Sequence, residues 1–264
     1  MHCLGTNMID FAFVDSGIGG IPYMLELLKK EPAASCVYVA DTANFPYGEK
    51  THQQVVDCVT PIIKKIRERF APKVIILACN TISVNALETL RQTFPDQQFV
   101  GTVPAIKLAA GISKTKNIGL LATKATCQNP YNLELKEKFA SDCKLICRGD
   151  GELVSFIEHN AFTATTQQCL QAVKPAVDFF VSQNCDVIVL GCTHFLNFTD
   201  IFKQACGSKL TVVDSVDGVV RHSLDIWQKE QHEAVKPSIY ITGTQEKQYE
   251  VLCAKYGITL CSDL

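Results

Sequence analysis

Two cysteines occupy the same kind of position in this sequence. Cys79 follows the apolar run 74–78 and Cys192 follows the run 186–190, and each precedes a segment with helical patterning. A thiol at such a turn lies near the electropositive start of the next helix, which favours a thiolate. Thiolates serve in proton transfer at carbon and in nucleophilic attack on a carbonyl. Attack needs one thiol, whereas proton exchange on both faces of a carbon atom needs an acid and a base.

The segments around the two cysteines resemble each other. Residues 73–81 read KVIILACNT and residues 186–194 read DVIVLGCTH, with the cysteines 192 − 79 = 113 positions apart. Unrelated buried strands also look alike, but the shared ending of small residue, Cys and polar residue favours a duplicated half. Open α/β sheets bind ligands at the carboxyl ends of their strands. We therefore expect a cleft between two similar domains, with one thiol on each wall.

Short apolar runs alternate with helical patterns along the whole chain, which predicts an α/β protein with parallel sheets. The expected architecture is two similar doubly wound α/β domains. The predicted strands are 10–14, 36–40, 74–78, 99–103, 117–121, 144–147, 186–190, 210–213 and 238–242. The predicted helices include 52–70, 82–93, 166–182 and 217–229.

Three further features flank the predicted strand ends. The first strand leads into Asp15-Ser16-Gly17-Ile18-Gly19-Gly20, but Pro22 stands where a dinucleotide-binding fingerprint requires glycine, so a Rossmann cofactor site is excluded. Asp15 fits both a turn former and an acid–base helper. The second strand leads into residues 41–49, DTANFPYGE, which fit either a tight turn or a ligand loop. His194 is placed to orient the Cys192 thiol, or to donate a structural hydrogen bond.

Composition excludes several classes of protein. With 47% hydrophobic residues, 20% charged residues and a net charge of −2, the chain is an ordinary globular protein without a nucleic-acid surface. Its start has neither a basic n-region nor a long apolar run, so we expect no leader, no membrane contact and a cytoplasmic location. The thirteen cysteines include no C-x-x-C pair, so we expect no metal site, and reduced thiols.

Four motifs occur in one order: DSGIGG, DTANFPYGEK, ACNT and GCTH. Together with PAIK at 104–107 and LATKAT at 121–126, they make the chain resemble glutamate racemases of the bacterial cell-wall pathway, from about residue 13 to 215. The resemblance implies interconversion of L- and D-glutamate by a thiolate and a thiol at Cα, without a cofactor. It also implies that many relatives are homodimers.

The resemblance also implies roles for individual residues. Cys79 would act on the D-enantiomer with help from Asp15, and Cys192 on the L-enantiomer with help from His194. Glu158 would be a further acidic helper, although the stretch before it departs from the family pattern and leaves Glu152 as a competitor. The residues implied in substrate binding are Ser16, Pro46, Tyr47, Gly48, Asn80, Thr81, Thr123, Thr126 and Thr193.

The resemblance implies a discontinuous first domain, 1–101 plus 215–264, and a second domain at 102–214. Three alternatives to glutamate racemisation remain. The first is a racemase of the same superfamily that acts on aspartate or a hydantoin. The second is a thiol hydrolase that uses Cys192 and His194 and treats Cys79 as structural. The third is a carboxylate-binding protein without catalysis.

Overall fold

The computed structural model describes residues 9–229, 235–244, 246–261 and 264. The first eight residues, on which the expectation of no leader partly rests, lie outside this description. The chain divides into two compact units: unit 1 is Met1–Thr102 with Val216–Leu264, and unit 2 is Val103–Ser215. Each division falls one residue after the boundary expected from the sequence.

The described part of unit 1 is built on a six-stranded sheet in the order β10-β9-β2-β1-β3-β4, with every pairing parallel. Its strands are β1 (Phe11–Asp15), β2 (Cys36–Ala40), β3 (Val74–Leu77), β4 (Gln98–Gly101), β9 (Ser238–Ile241) and β10 (Thr259–Cys261). The connecting helices are α1 (Ile21–Lys30), α2 (His52–Phe70), α3 (Asn80–Thr93), α11 (Val216–Ile226) and α12 (Lys247–Tyr256). Two short 3-10 turns, Thr42–Asn44 and Tyr47–Glu49, follow β2.

The described part of unit 2 repeats this plan with a four-stranded parallel sheet in the order β6-β5-β7-β8. Its strands are β5 (Asn117–Ala122), β6 (Lys144–Gly149), β7 (Val187–Leu190) and β8 (Thr211–Val213). Its helices are α4 (Ile106–Ile112), α5 (Lys124–Gln128), α6 (Pro130–Phe139), α7 (Gly151–Asn160), α8 (Thr166–Ser182), α9 (Thr193–Leu196) and α10 (Thr199–Cys206).

The two sheets share one topology. In unit 1 the chain runs from β1 to β2 on one side and then returns to place β3 and β4 on the other side of β1. In unit 2 the strands β5, β6, β7 and β8 follow the same course. Each sheet therefore has a switch point, which is the place where the chain begins to add strands on the opposite side of the first strand. It lies between β1 and β3 in unit 1 and between β5 and β7 in unit 2.

The central strands are buried because helices cover both faces of a parallel sheet. Every residue of β1, β2, β3 and β7 is buried, which agrees with their continuous apolar sequences. Close packing also fixes particular small residues. A Cβ added to Gly191 would lie 2.5 Å from Leu120 Cδ1 and 3.2 Å from the Leu121 carbonyl oxygen, so the packing favours glycine immediately before Cys192.

The predicted α/β class with two parallel sheets is confirmed, while several boundaries differ. Strand β1 is Phe11–Asp15 rather than 10–14, and β6 continues to Gly149 beyond the predicted end at 147. Helix α3 begins at Asn80 instead of 82, directly after the cysteine. Strand β10 is not among the predicted strands, and its three residues are all partly or fully exposed at the sheet edge. A strand exposed in this way carries no continuous apolar run that a pattern can detect.

Candidate active site

The two cysteines occupy equivalent backbone positions in the two units. The residue before each one donates a hydrogen bond across the switch point: Ala78 N to Val14 O at 2.8 Å, and Gly191 N to Leu121 O at 2.7 Å. Cys79 then caps α3 and Cys192 caps α9, both with extended backbone angles. A ligand-binding position is expected at such a switch point, so each unit presents its thiol where α/β sheets bind ligands.

Cys79 lies at the start of a long helix. It is 6% exposed, and α3 continues for fourteen residues beyond it. The thiol itself makes no capping hydrogen bond to the helix. The helix N-terminus is electropositive, so it stabilises negative charge on a sulfur or on a ligand in this place.

Asp15 ends β1, next to β3 and its Cys79 turn. Its side chain is fully buried, and Oδ1 accepts a hydrogen bond from Ser16 N at 2.7 Å. This bond fixes the orientation of the carboxylate at the strand end. Ser16 is also buried, at 3% exposure, so both expected site residues are held in the interior of unit 1.

Asn80 and Thr81 form the first turn of α3 and are each 3% exposed. Asn80 Oδ1 is a buried acceptor without a hydrogen-bond partner among the described residues. Buried polar atoms are almost always hydrogen-bonded, so an acceptor of this kind suits a donor brought by a ligand, such as an ammonium group.

A hydrogen-bond network around Asp41 holds the loop that contains Pro46, Tyr47 and Gly48. The buried Asp41 carboxylate accepts from Tyr47 Oη and from Thr242 Oγ1, the latter at 2.6 Å. Burial and the neighbouring Asp41 raise the pKa of Tyr47, so the phenol stays protonated and donates to the carboxylate. Pro46 and Gly48 are half-buried on either side of Tyr47.

Sequence reasoning missed the roles of Asp41 and Thr242. Asp41 belongs to the DTANFPYGEK motif, but the substrate-binding residues that the resemblance implies in this motif are Pro46, Tyr47 and Gly48. The available signal was an acidic residue at the carboxyl end of a buried strand. The role of Thr242 had no local signal, because it approaches Asp41 from a segment 201 positions away in the chain.

In unit 2, Thr123 and Thr126 form the start of α5 at the end of β5. Thr123 Oγ1 accepts from Thr126 N at 3.2 Å and lies 3.0 Å from Thr126 Oγ1. Asn132, which the sequence did not single out, donates from Nδ2 to the Thr126 carbonyl oxygen. The two threonines are thus held together beside β7, the strand that leads to Cys192 and to Thr193, which is 1% exposed.

Cys192 is linked to a buried His–Glu pair. His194 Nδ1 lies 3.9 Å from Cys192 Sγ, and His194 Nε2 lies 2.8 Å from Glu158 Oε2. His194 and Glu158 are each 3% exposed. Glu158 comes from α7, whereas its sequence competitor Glu152 lies exposed in the first turn of the same helix. The structure therefore places Glu158, and not Glu152, beside the histidine.

The two hydrogen-bond partners of His194, Cys192 and Glu158, control the charge of its ring. Burial alone lowers the pKa of His194, but hydrogen bonds to Cys192 and Glu158 outweigh it and hold the pKa well above its ordinary value. An imidazolium donates from both ring nitrogens, which matches an acceptor on each side. His194 can thus give a proton to Cys192, or stabilise its thiolate while Glu158 holds the ring in place.

The described residues contain no group of three or more His, Cys, Asp or Glu side chains able to hold a metal ion. No described helix is long and apolar enough to cross a membrane.

Comparison with known proteins decides the family. The model of the Asp/Glu/hydantoin racemase family matches residues 22–222. A glutamate racemase from Treponema pallidum is 38% identical over 251 residues, which is 95% of this chain and 93% of the relative. The chain belongs to the Asp/Glu/hydantoin racemase family.

Other racemases extend this likeness. A glutamate racemase from Shewanella oneidensis is 39% identical over 228 residues, covering 83% of this chain and 82% of the relative. The crystal structure of Escherichia coli glutamate racemase in complex with L-glutamate and the activator UDP-MurNAc-Ala has a TM-score of 0.83 to this racemase-family chain. That structure is 28% identical and covers 97% of this chain and 99% of the other. The resemblance predicted from the four motifs is confirmed.

The His194–Glu158 pair gives a test that requires no activity measurement. Replacing Glu158 by Gln removes the negative charge beside the imidazolium, so we expect the pKa of His194 to fall. The imidazolium is the form present below that pKa, and the variant should therefore lose it at lower pH than the wild type. The ring nitrogen signals of His194, followed by NMR through a pH titration, report this change. Glu152→Gln, on the same helix, is the matched control; an unchanged titration in Glu158→Gln, or an equal shift in Glu152→Gln, contradicts the assignment.

Proposed function

We propose that the protein is a glutamate racemase, which exchanges the Cα proton of glutamate between Cys79 and Cys192 without a cofactor. The carrying observation is that the two cysteines follow equivalent strands of two sheets with the same topology. A nucleophilic hydrolase needs only one catalytic thiol, so it does not account for a second cysteine in the equivalent position. The glutamate racemases from Treponema pallidum and Shewanella oneidensis support the choice of substrate.

The reaction balances as two proton transfers. From L-glutamate, the Cys192 thiolate takes the Cα proton and becomes a thiol, and the Cys79 thiol gives its proton to the opposite face of the carbanion. The product is D-glutamate, and the sulfur charges are now reversed. Exchange with solvent resets the pair, with His194 helping at Cys192 and Asp15 helping at Cys79. The reverse reaction starts with Cys79 as the thiolate.

The carbanion is the difficult species, because the Cα proton next to an ionised carboxylate is far less acidic than a thiol. Fixed donors directed at the substrate carboxylates stabilise the developing charge, as does the electropositive start of α3. The ammonium group of the substrate is itself a donor and needs acceptors, of which the buried Asn80 Oδ1 is one. The residues we assign to substrate binding are Ser16, Pro46, Tyr47, Gly48, Asn80, Thr81, Thr123, Thr126 and Thr193.

Two other functions have specific support. The family model also covers aspartate and hydantoin racemases, so a different substrate of the same chemistry is the nearest alternative. The chain of Cys192, His194 and Glu158 also has the order of nucleophile, base and orienting acid found in thiol hydrolases. A hydrolase of this kind would not need the Cys79 thiol.

Cofactor-free racemisation of L-glutamate, followed by optical rotation, tests the proposal. We expect wild type to be active and both Cys79→Ser and Cys192→Ser to lose at least about a hundredfold in rate, since each removes one acid–base group. Cys206→Ser, at a buried thiol in α10, is the control and should keep its activity. Activity on aspartate with none on glutamate would be compatible with the two-thiol mechanism but would refute glutamate as the substrate. Full activity in Cys79→Ser would refute the two-thiol mechanism.

We further propose a role in supplying D-glutamate for peptidoglycan synthesis, and a cytoplasmic location. The twelve cysteines among the described residues form no disulfide with one another, as is usual in a reducing compartment. Fractionation of the source cells would locate the protein, and its recovery outside the cytoplasm would contradict this placement.

We also propose that the protein forms a homodimer through α4 and α6 of unit 2. These helices pack against each other and expose four large apolar side chains: Leu108, Ile112, Leu133 and Phe139. Apolar groups that are exposed together often mark an interface. Light scattering should give twice the chain mass for wild type and one chain mass for Leu133→Glu. A wild-type monomer would refute the dimer, and a Leu133→Glu dimer would refute this interface.

A further inference from the structure

Residues 15–20, here called the 15–20 loop, lead from the end of β1 to α1 and include three glycines. The loop carries Asp15, the proposed helper of Cys79, and Ser16, which we assign to substrate binding. Glycine loses more conformational freedom on ordering than any other residue, so a loop of this composition needs bonds that hold it in place. Two such bonds come from a side chain on another strand of the same sheet.

The side chain is that of Tyr38, in β2. Its hydroxyl donates to the Gly17 carbonyl oxygen at 2.7 Å and accepts from Gly20 N at 2.9 Å. A tyrosine hydroxyl has one proton to donate and lone pairs that accept, and here both kinds of bond go to the 15–20 loop. Tyr38 is fully buried in a strand that is otherwise apolar. Phenylalanine would fill the same space, so the contribution particular to tyrosine is this pair of hydrogen bonds.

The 15–20 loop also lies against the residue that precedes Cys79. A Cβ added to Gly20 would lie 2.4 Å from Ala78 Cβ, 2.8 Å from the Ala78 carbonyl oxygen and 3.0 Å from Tyr38 Oη. Ala78 N is the group that bonds to Val14 O at the switch point. Gly20 is therefore in close contact both with the hydroxyl that holds the loop and with the turn that places the thiol.

We propose that Tyr38 is a positioning residue for proton transfer at Cys79. Its hydroxyl holds the 15–20 loop, so that Asp15 and Ser16 keep their places at the end of β1, next to the turn of Cys79. Tyr38 acts through this loop and not on the substrate. The proposal rests on the two-thiol reaction proposed above, and it assigns the effect of Tyr38 to one of the two proton transfers.

Amide hydrogen exchange tests the hold on the loop without any measurement of activity. Tyr38→Phe keeps the ring and removes the hydroxyl. We expect the Gly20 amide, which then loses this acceptor, to exchange with solvent at least about tenfold faster than in wild type. Exchange of the individual amides is followed by NMR. Tyr240→Phe, at a partly buried tyrosine in the neighbouring strand β9, is the matched control and should leave exchange at Gly20 unchanged.

Deuterium isotope effects on kcat/KM then show which thiol is affected. In Tyr38→Phe, slower proton transfer at Cys79 makes removal of the Cα proton from D-glutamate more rate-limiting, so the isotope effect with Cα-deuterated D-glutamate should rise. From L-glutamate, the carbanion formed by Cys192 would return to substrate more often before Cys79 protonates it. Proton removal from L-glutamate then becomes reversible, and the isotope effect with Cα-deuterated L-glutamate should fall.

The opposite changes in the two isotope effects separate positioning from a loss of folded protein. Because enantiomers have equal free energies, kcat/KM for undeuterated substrate must fall by the same factor in both directions, and we expect about tenfold. A smaller fraction of folded enzyme would also lower kcat/KM equally. It would leave both isotope effects at their wild-type values, because each is a ratio of rates measured on the active molecules alone. Tyr240→Phe should keep the wild-type rates and isotope effects.

Two results would overturn the proposal. Unchanged exchange of the Gly20 amide in Tyr38→Phe would show that the hydroxyl does not hold the loop. Isotope effects that stay at the wild-type values, or that change in the same direction for both enantiomers, would show that the loop does not serve Cys79 in particular. A wild-type protein that does not racemise glutamate would refute the proposed function and with it the role in the reaction, while exchange at Gly20 would still decide whether Tyr38 holds the loop.

Discussion

The hydrogen bond that closes each switch point is the constraint on which the proposed chemistry depends. Ala78 N and Gly191 N each bond to the neighbouring central strand, and this fixes where β3 and β7 end. The next residue in each unit is a cysteine that also caps a helix. In unit 2 the packing favours a small residue before the thiol, because a Cβ on Gly191 would lie 2.5 Å from Leu120 Cδ1 and 3.2 Å from the Leu121 carbonyl oxygen. The sheet topology thus sets the position of both sulfurs before any side-chain interaction is considered.

The two thiols have different surroundings, although their backbone positions match. Cys79 begins a fourteen-residue helix and lies in the same unit as the buried Asp15 carboxylate. Cys192 begins a helix of only four residues, whose small dipole contributes little, and has the imidazolium of His194 instead. A reaction that requires opposite protonation states at two sulfurs is served by such unequal environments. The acid and base roles of the two thiols are exchanged when the reaction runs in the opposite direction. Each thiol therefore needs its own route for proton exchange.

The sequence predicted the parts of the structure that are local. Continuous apolar runs identified nearly all of the strands, since strands buried on both faces contain few polar residues. The bounds of α2 and α8 agree with the predicted helices, and both helices begin with a Thr–Gln capping box. Contacts between distant parts of the chain could not be predicted from the sequence. Thr242 bonds to Asp41 although the two are 201 positions apart. The choice of Glu158 over Glu152 depends on which face of α7 is buried. The family motifs predicted the candidate site residues, but the hydrogen-bond network that holds the loop around Tyr47 became visible only in three dimensions.

The fate of the Cα hydrogen tests the two-thiol account most directly. Wild-type protein is incubated in deuterated water with L-glutamate, and in a separate reaction with D-glutamate, and both enantiomers are isolated early in each reaction. The account predicts that the product carries deuterium at Cα while the remaining substrate keeps its hydrogen, because a different sulfur supplies each face. Product that retains the substrate hydrogen, or early labelling of both enantiomers alike, would indicate a single base and contradict the account.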